Sequence, residues 1–207
     1  MPLVQQLQYR KIRYLMYFPK DFKEGKKYPL FFHLHGAGGR GNDFSAFQGS
    51  TILAELEKEN TPLSDCICVF PQCSDDTWFE NFPELMEMAN TICNLYCIDK
   101  TRVIGSGISM GGYAMYQLMC SKPELFTKGI LCCGGGMYWN IGRLKNIKIR
   151  LFHGEQDTCV FPEESKRIYD RLKEIGADAE LKLYPECDHN CWNKTYTDPE
   201  VLEWIVE

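Results

Sequence analysis

The sequence predicts an α/β fold in which residues 1–207 form one domain, with a mostly parallel sheet covered by helices on both faces. Three observations lead there. Short apolar runs of strand length alternate with longer segments of helical spacing. Those runs are continuously apolar, as strands buried on both faces are, and lack the in–out alternation of a half-exposed sheet. The chain has 207 residues, 44% hydrophobic and 25% charged, enough to bury a sizeable core.

Taken in order, residues 11–18 (KIRYLMYF) read as a strand and 29–34 (PLFFHL) as a central one. Residues 42–60 have helical spacing through Phe44, Phe47, Ile52, Leu53 and Leu56. Residues 66–70 (CICVF) form a short buried strand, and 83–96 are amphipathic with a 3.6-residue period. Residues 102–105 (RVIG) are a strand, followed by a helix over 110–119. Strands follow at 129–133 (GILCC) and 147–152 (IKIRLF). Residues 162–175 read as a charged helix, with Gly176 where a helix-ending glycine belongs. Residues 180–184 are the last strand and 199–206 the closing helix. No internal repeat, low-complexity stretch or linker interrupts the series.

Composition narrows the function classes. The net charge is −5, and no block of like charges stands out, so neither nucleic acid nor a membrane surface is an expected partner. No run of about 18 apolar residues exists, so no membrane span is expected. Residues 1–22 lack an apolar core after a basic stretch, so they do not read as a secretion signal. Eleven cysteines, an odd number, read as reduced thiols in a cytoplasmic protein. No feature of the sequence specifies an oligomeric state.

The sharpest local signal is Gly107-Ile108-Ser109-Met110-Gly111, a G-x-S-x-G set between a predicted strand and a predicted helix. That context suits a nucleophile elbow, a strained turn that lifts Ser109 above the sheet edge at the positive end of a helix. The bland alternative is a glycine-rich turn with a helix-capping serine. After the strand at 29–34 comes HGAGGRG, residues 35–41. Glycines there let backbone N–H groups face a substrate oxygen. The expected oxyanion donors are the N–H of Met110 and that of Ala37, with Gly38 as the fallback. A phosphate cradle is a weaker reading, because the loop lacks both a G-K-[ST] ending and a G-x-G-x-x-G fingerprint.

The base and the acid follow from chain order. His33 and His35 precede Ser109, and His153 directly precedes Gly154, where it is better placed to support a turn. His189, in the loop CDHNCW after the last strand, is the expected base. The motif HGEQD puts Asp157 after a strand, where a carboxylate can orient the imidazole; Glu155 and Asp188 are its rivals. A metal or redox site is the competing class. Cys187-x-His189-x-Cys191 offers three ligands and Cys66 and Cys68 share a strand face, but the C-x-x-C spacing of zinc sites is missing. A non-catalytic binder of this fold would normally have lost one member of the serine–histidine–carboxylate set.

With these segments placed, the chain resembles a compact, lid-free branch of the α/β-hydrolase superfamily. That branch includes feruloyl- and acetyl-esterase-like enzymes and prolyl-oligopeptidase-like predicted peptidases. HLHGAGGRGND, VFPQCSDDTWF, RVIGSGISMGGYAMYQLM, LFHGEQDTCVFPEES and DHNCWNKTYTDPEVLEWI carry the resemblance over nearly the whole chain. It implies a triad of Ser109, Asp157 and His189, and Trp78 and Trp192 near the substrate pocket. It implies cleavage of a small-molecule ester with no metal or organic cofactor, peptidase activity being the runner-up. One departure is Asp188, where the branch usually has glycine before the base histidine. Residues 134–146 leave no room for the lid domain that many hydrolases insert there, so an open site is expected. Tyr138, Trp139, Trp78 and Phe79 are candidates for an aromatic wall beside it.

Overall fold

The computed structural model describes residues 3–58, 60–95 and 97–207. Glu59, within the expected helix 42–60, and Tyr96, at the end of the expected helix 83–96, lie outside the described residues, as do Met1 and Pro2.

Eight strands form one sheet: β1 Leu3–Tyr9, β2 Ile12–Phe18, β3 Tyr28–Leu34, β4 Ile67–Gln72, β5 Ile98–Ile108, β6 Lys128–Cys132, β7 Lys148–Gly154 and β8 Ala179–Tyr184. Their spatial order is β1-β2-β4-β3-β5-β6-β7-β8. The hairpin β1–β2 is antiparallel, and β2 meets β4 antiparallel. Every pairing from β4 through β8 is parallel. The helices are α1 Thr51–Leu56, α2 Phe82–Cys93, α3 Met110–Ser121, α4 Glu163–Glu174, the short α5 Trp192–Thr195, and α6 Pro199–Val206. None of the described helices is long and apolar enough to cross a membrane.

Side-chain alternation along the central strands builds two cores, one on each face. Leu30, Phe32 and Leu34 of β3 point with Ile67 and Val69 of β4 toward α2, α3 and α4. Phe31, Cys68, Phe70 and Ile104 point the other way, onto α1 and α6. A strand of a parallel sheet therefore needs apolar residues at successive positions, which is why these segments read as unbroken hydrophobic runs.

The structure departs from the sequence reading in three places. Strand β1, mostly solvent-exposed, carries no apolar run; its backbone pairing with β2 makes it a strand. The single helix expected over 42–60 is a 3-10 turn at Ser45–Phe47 followed by α1. Phe44 at φ 64° and Gly49 at φ 77° break the helix between and around them. Strand β5 is far longer than the expected 102–105, because pairing with β3 and β6 carries it on to Ile108. The end of α4 matches expectation: Gly176 takes φ 70°, and the N–H groups of Gly176 and Ala177 close onto Lys173 and Leu172 carbonyls at 3.0 and 2.9 Å.

Topology decides where a site can form. The chain leaves β3 toward β4 on one side, and leaves β5 toward β6 on the other. Loops therefore diverge at the carboxyl ends of β3 and β5 and open a crevice there. The connection from β6 to β7 contains only a 3-10 stretch, Tyr138–Leu144.

The two-sided core sets a stability expectation. Leu30 is fully buried and Leu3 is 59% exposed. Leu30→Ala should cost about 2–5 kcal/mol in denaturant unfolding, whereas Leu3→Ala should change stability by no more than about 0.5 kcal/mol. Equal costs at the two positions would contradict this packing.

Candidate active site

Ser109 is the junction between β5 and α3. Its backbone lies at φ 50° and ψ −120°, a region that non-glycine residues seldom occupy and that costs about 1–3 kcal/mol. The turn closes tightly. A Cβ on Gly111 would run into the Leu34 carbonyl at the end of β3, so only glycine lets α3 start this close to the neighbouring strand. Although Ser109 occupies the N-cap position, its side chain makes no capping hydrogen bond. Its Oγ instead lies 2.8 Å from Nε2 of His189.

His189 reaches that position from the loop after β8. A Cβ on Gly154, at the end of β7, would strike the backbone carbonyls of Cys187 and Asp188, so this glycine lets the loop lie directly on β7. The Gln156 N–H donates to the Cys187 carbonyl at 3.0 Å and pins it there. On the other side of the imidazole, Nδ1 is 2.7 Å from Oδ2 of Asp157. The His189 side chain is 21% exposed and that of Asp157 fully buried. Serine, imidazole and carboxylate thus form one hydrogen-bonded series from cleft to interior.

Asp157 is held from several sides. Its Oδ1 accepts from the N–H groups of Cys159 and Val160, each at 2.9 Å. Burial pushes the carboxyl up, but hydrogen bonds from His189 and from these two backbone donors outweigh it and hold the group below its usual pKa. The rivals fall away on geometry. Glu155 is exposed, and the exposed Asp188 accepts at its Oδ1 from the Asn190 N–H at 3.0 Å, a turn within its own loop.

The loop after β3 lies against the serine. A Cβ placed on Gly36 would stand 3.3 Å from Cβ of Ser109. Ala37 opens a 3-10 turn, Ala37–Gly39, and Met110 opens α3. The first N–H groups of a helical turn have no partner within that turn, so both residues present backbone donors beside Ser109. His35 braces this loop. Its Nε2 accepts from the Cys73 N–H at 3.0 Å, so the ring proton sits on Nδ1, which faces the Gly36 carbonyl at 2.6 Å.

Ser109 and His189 open on a cavity of about 310 Å³. Ala37 and Gly38 form one wall, and Phe47, Ile52, Leu53, Phe70, Ile108 and Trp192 supply most of the apolar lining. The Trp192 ring meets the His189 imidazole edge-on at 5.4 Å. His33 and Tyr196 form the floor, both tied to Ser106: His33 Nδ1 lies 3.0 Å from its Oγ, and Tyr196 bonds the same hydroxyl. Neither floor residue carries a sequence signal, since a buried histidine and a buried tyrosine look like ordinary core.

The comparisons with known proteins enter at this point. No protein-family model matches the chain. It is 28% identical over 126 residues to a protein of Aspergillus terreus named "Probable feruloyl esterase C", covering 59% of this chain and 46% of that protein. A protein of the same name from Aspergillus niger is 26% identical over 187 residues, 88% of this chain and 68% of its own length. Among solved structures, a thermostable esterase superposes with a TM-score of 0.85 at 29% identity, over 99% of this chain and 62% of that one. The chain has the α/β-hydrolase fold of that esterase. It spans just under half of the A. terreus protein and less than two thirds of the thermostable esterase.

Within this α/β-hydrolase fold, two expectations about the surroundings of the site need correction. Trp78 is not among the residues lining the cleft. It is 2% exposed, packs against His35 with the rings tilted and 4.8 Å apart, and donates its indole N–H to the His35 carbonyl at 3.0 Å, so it supports the β3 loop from beneath. Phe79, Tyr138 and Trp139 are exposed and likewise do not line the cleft. The ligand set read at Cys187-x-His189-x-Cys191 does not converge either. Among the described residues the donors that come together are those of Cys133, Asp157 and His189, within 4.8 Å of one another. Two of those three already share a hydrogen bond.

A second serine–histidine–aspartate arrangement shares Asp157. His153 Nε2 lies 3.2 Å from Asp157 Oδ2, and its Nδ1 lies 2.7 Å from Ser165 Oγ. His153 and Ser165 are both fully buried, so no substrate carbonyl reaches that hydroxyl.

The two remaining histidines make the fold acid-sensitive. Burial lowers His33 to about 3 and His35 to about 4, so both stay neutral when folded. The unfolded chain takes up protons at these residues from about pH 6.5 downward, while the folded chain does not until much lower pH. Stability from this source is present above about pH 6.5 and falls as pH drops toward 4. His35 alone should account for about 3 kcal/mol. Urea unfolding at a series of pH values checks this; a flat profile from pH 7 to 4 would contradict it.

Proposed function

We propose that the chain is a carboxylic ester hydrolase with Ser109 as nucleophile, His189 as general base and acid, and Asp157 as the group that orients His189. The hydrogen-bonded series from Ser109 Oγ through His189 to Asp157, at 2.8 and 2.7 Å and opening on an apolar cleft, carries this reading. His189 takes the Ser109 proton as the oxygen attacks the ester carbonyl. The N–H groups of Met110 and Ala37 receive the oxyanion. His189 then protonates the leaving alcohol, and water repeats the cycle on the acyl-enzyme. No step in this sequence requires a metal or an organic cofactor. Trp192 and Gly38 line the cleft and contact the bound ester in this reading.

The cleft suits a small or aromatic acyl group, and the names of the Aspergillus relatives point the same way. In this reading residues 1–207 act as one catalytic domain without a nucleic-acid or membrane partner. We place it in the cytoplasm, a reading supported by eleven cysteines that are all free and of which only Cys159 is exposed.

A fluorophosphonate probe followed by peptide mapping tests the assignment. The label should fall on Ser109 and not on Ser165. Ser109→Ala should abolish labelling, and His189→Ala should slow ester turnover by a factor on the order of 10⁴ or more. Label on any other serine would remove the proposal.

The same relay can attack amides, whose leaving groups need stronger protonation. Turnover of short p-nitrophenyl esters should exceed that of aminoacyl anilides by several orders of magnitude. Comparable rates on the two would shift the assignment to a peptidase.

A further inference from the structure

We propose that His153, held by Ser165, is a positioning residue for the catalytic series, fixing Asp157 and setting how strongly Asp157 draws on His189. This rests on the assignment of Ser109, His189 and Asp157 above.

The geometry is specific. His153 lies on β7 and Asp157 in the loop that follows, so both belong to one short segment packed under the cleft. The His153 Nε2 donates to the Val160 carbonyl at 2.9 Å and stands 3.2 Å from Asp157 Oδ2, close to the carboxylate without a second hydrogen bond. The ring therefore carries a proton on Nε2. Its Nδ1 accepts from the Ser165 hydroxyl, 2.7 Å away at the start of α4. Ser165 thus selects the tautomer that donates to the Val160 carbonyl and turns an N–H, not a lone pair, toward Asp157.

The consequence for Asp157 is that three donors hold the carboxylate and the Nε2–H of His153 lies beside it. Backbone N–H groups take Oδ1, one of them from Val160, whose carbonyl His153 holds, while His189 takes Oδ2 with His153 next to it. That oxygen is where the effect on catalysis arises. The Nε2–H dipole of His153 beside Oδ2 offsets part of its charge and so weakens its hold on the His189 imidazolium. His153 also prevents the carboxylate from rotating away when His189 moves toward the leaving group. Both effects act through His189 and neither requires contact with substrate.

Other ionisable groups surround this pair. Tyr113 of α3, Cys133 just after β6, and Cys187 and Cys191 of the β8 loop lie near it, with Glu164 of α4 beside Tyr113 and Asp188 beside Cys187. A change of pH profile assigned to His153 must therefore appear when His153 alone is altered, with these six residues intact.

The experiment compares the full chain with His153→Phe, His153→Gln and Ser165→Ala. It uses p-nitrophenyl butyrate hydrolysis from pH 5 to 9 and fluorophosphonate labelling at Ser109. Phenylalanine keeps the ring volume but donates nothing, whereas the glutamine amide can replace the Nε2 donor. His153→Phe should lower kcat about tenfold or more with little change in KM. It should also move the acid limb of kcat/KM upward by about half a pH unit or more, since an Asp157 released from His153 favours the protonated imidazole. His153→Gln should recover most of the rate and restore the limb. Ser165→Ala should shift both quantities in the same direction, by less.

A folded His153→Phe with unaltered kcat and pH profile would overturn the proposal. Should that variant fail to fold, unaltered values in Ser165→Ala would overturn it equally. Failure of Ser109 to label in the unaltered chain would instead strike the catalytic assignment. Normal labelling with unchanged variant profiles would strike the role of His153 alone.

Discussion

The strained backbone at Ser109 is the constraint on which the site depends. Left to itself, a serine would relax out of a φ of 50° and carry its hydroxyl away from His189. What prevents this is the pairing of β5 with β3 and β6 up to its last residues, and the seating of α3 against the end of β3. The Ser109 N–H is also bonded to the Cys132 carbonyl at 2.9 Å, tying the turn to β6. Sheet register, helix start and the absence of a side chain at Gly111 thus all serve one residue. Folding energy gathered over two apolar cores is spent locally to hold it.

The other parts of the site are placed by the same sheet. Asp157 follows β7, His189 follows β8 and Ala37 follows β3, so three loops from the carboxyl edge converge without a dedicated scaffold. The charged member, Asp157, is the most deeply buried and the most fully hydrogen-bonded. The proposed base, His189, is partly exposed at the cleft. That gradient keeps negative charge fixed in the interior while leaving the imidazole free to tilt between nucleophile and leaving group.

Much of this was legible in the sequence because it depends on short-range signals. Apolar runs marked β2 through β4, β6 and β7, since burial on both faces leaves little room for polar residues, whereas β8, partly exposed, carries Glu180 and Lys182 among its apolar residues. The G-x-S-x-G set and the HG-containing loops marked turns that only small residues permit. The unread parts depend on tertiary contact. Strand β1 has no apolar run and exists through pairing with β2. The helix expected over 42–60 broke where Phe44 took a left-handed conformation that no local pattern announces. Trp78 faces the interior because the β3 loop offers its indole an acceptor, a partner 43 residues away in the chain. His153 was readable as a support for a turn, but its bond to Ser165 and its place beside Asp157 depend on how α4 packs against β7.

The short 3-10 connection between β6 and β7 bears on how the proposed esterase would meet its substrate. Enzymes with a mobile cover over the site respond to an oil–water boundary, because an apolar surface favours the uncovered state. Here the mouth of the cleft is framed by β3, α1, α5 and the elbow, all tied to the sheet. An ester would be taken from free solution, and the rate would follow the concentration of dissolved monomer smoothly through the point where micelles form.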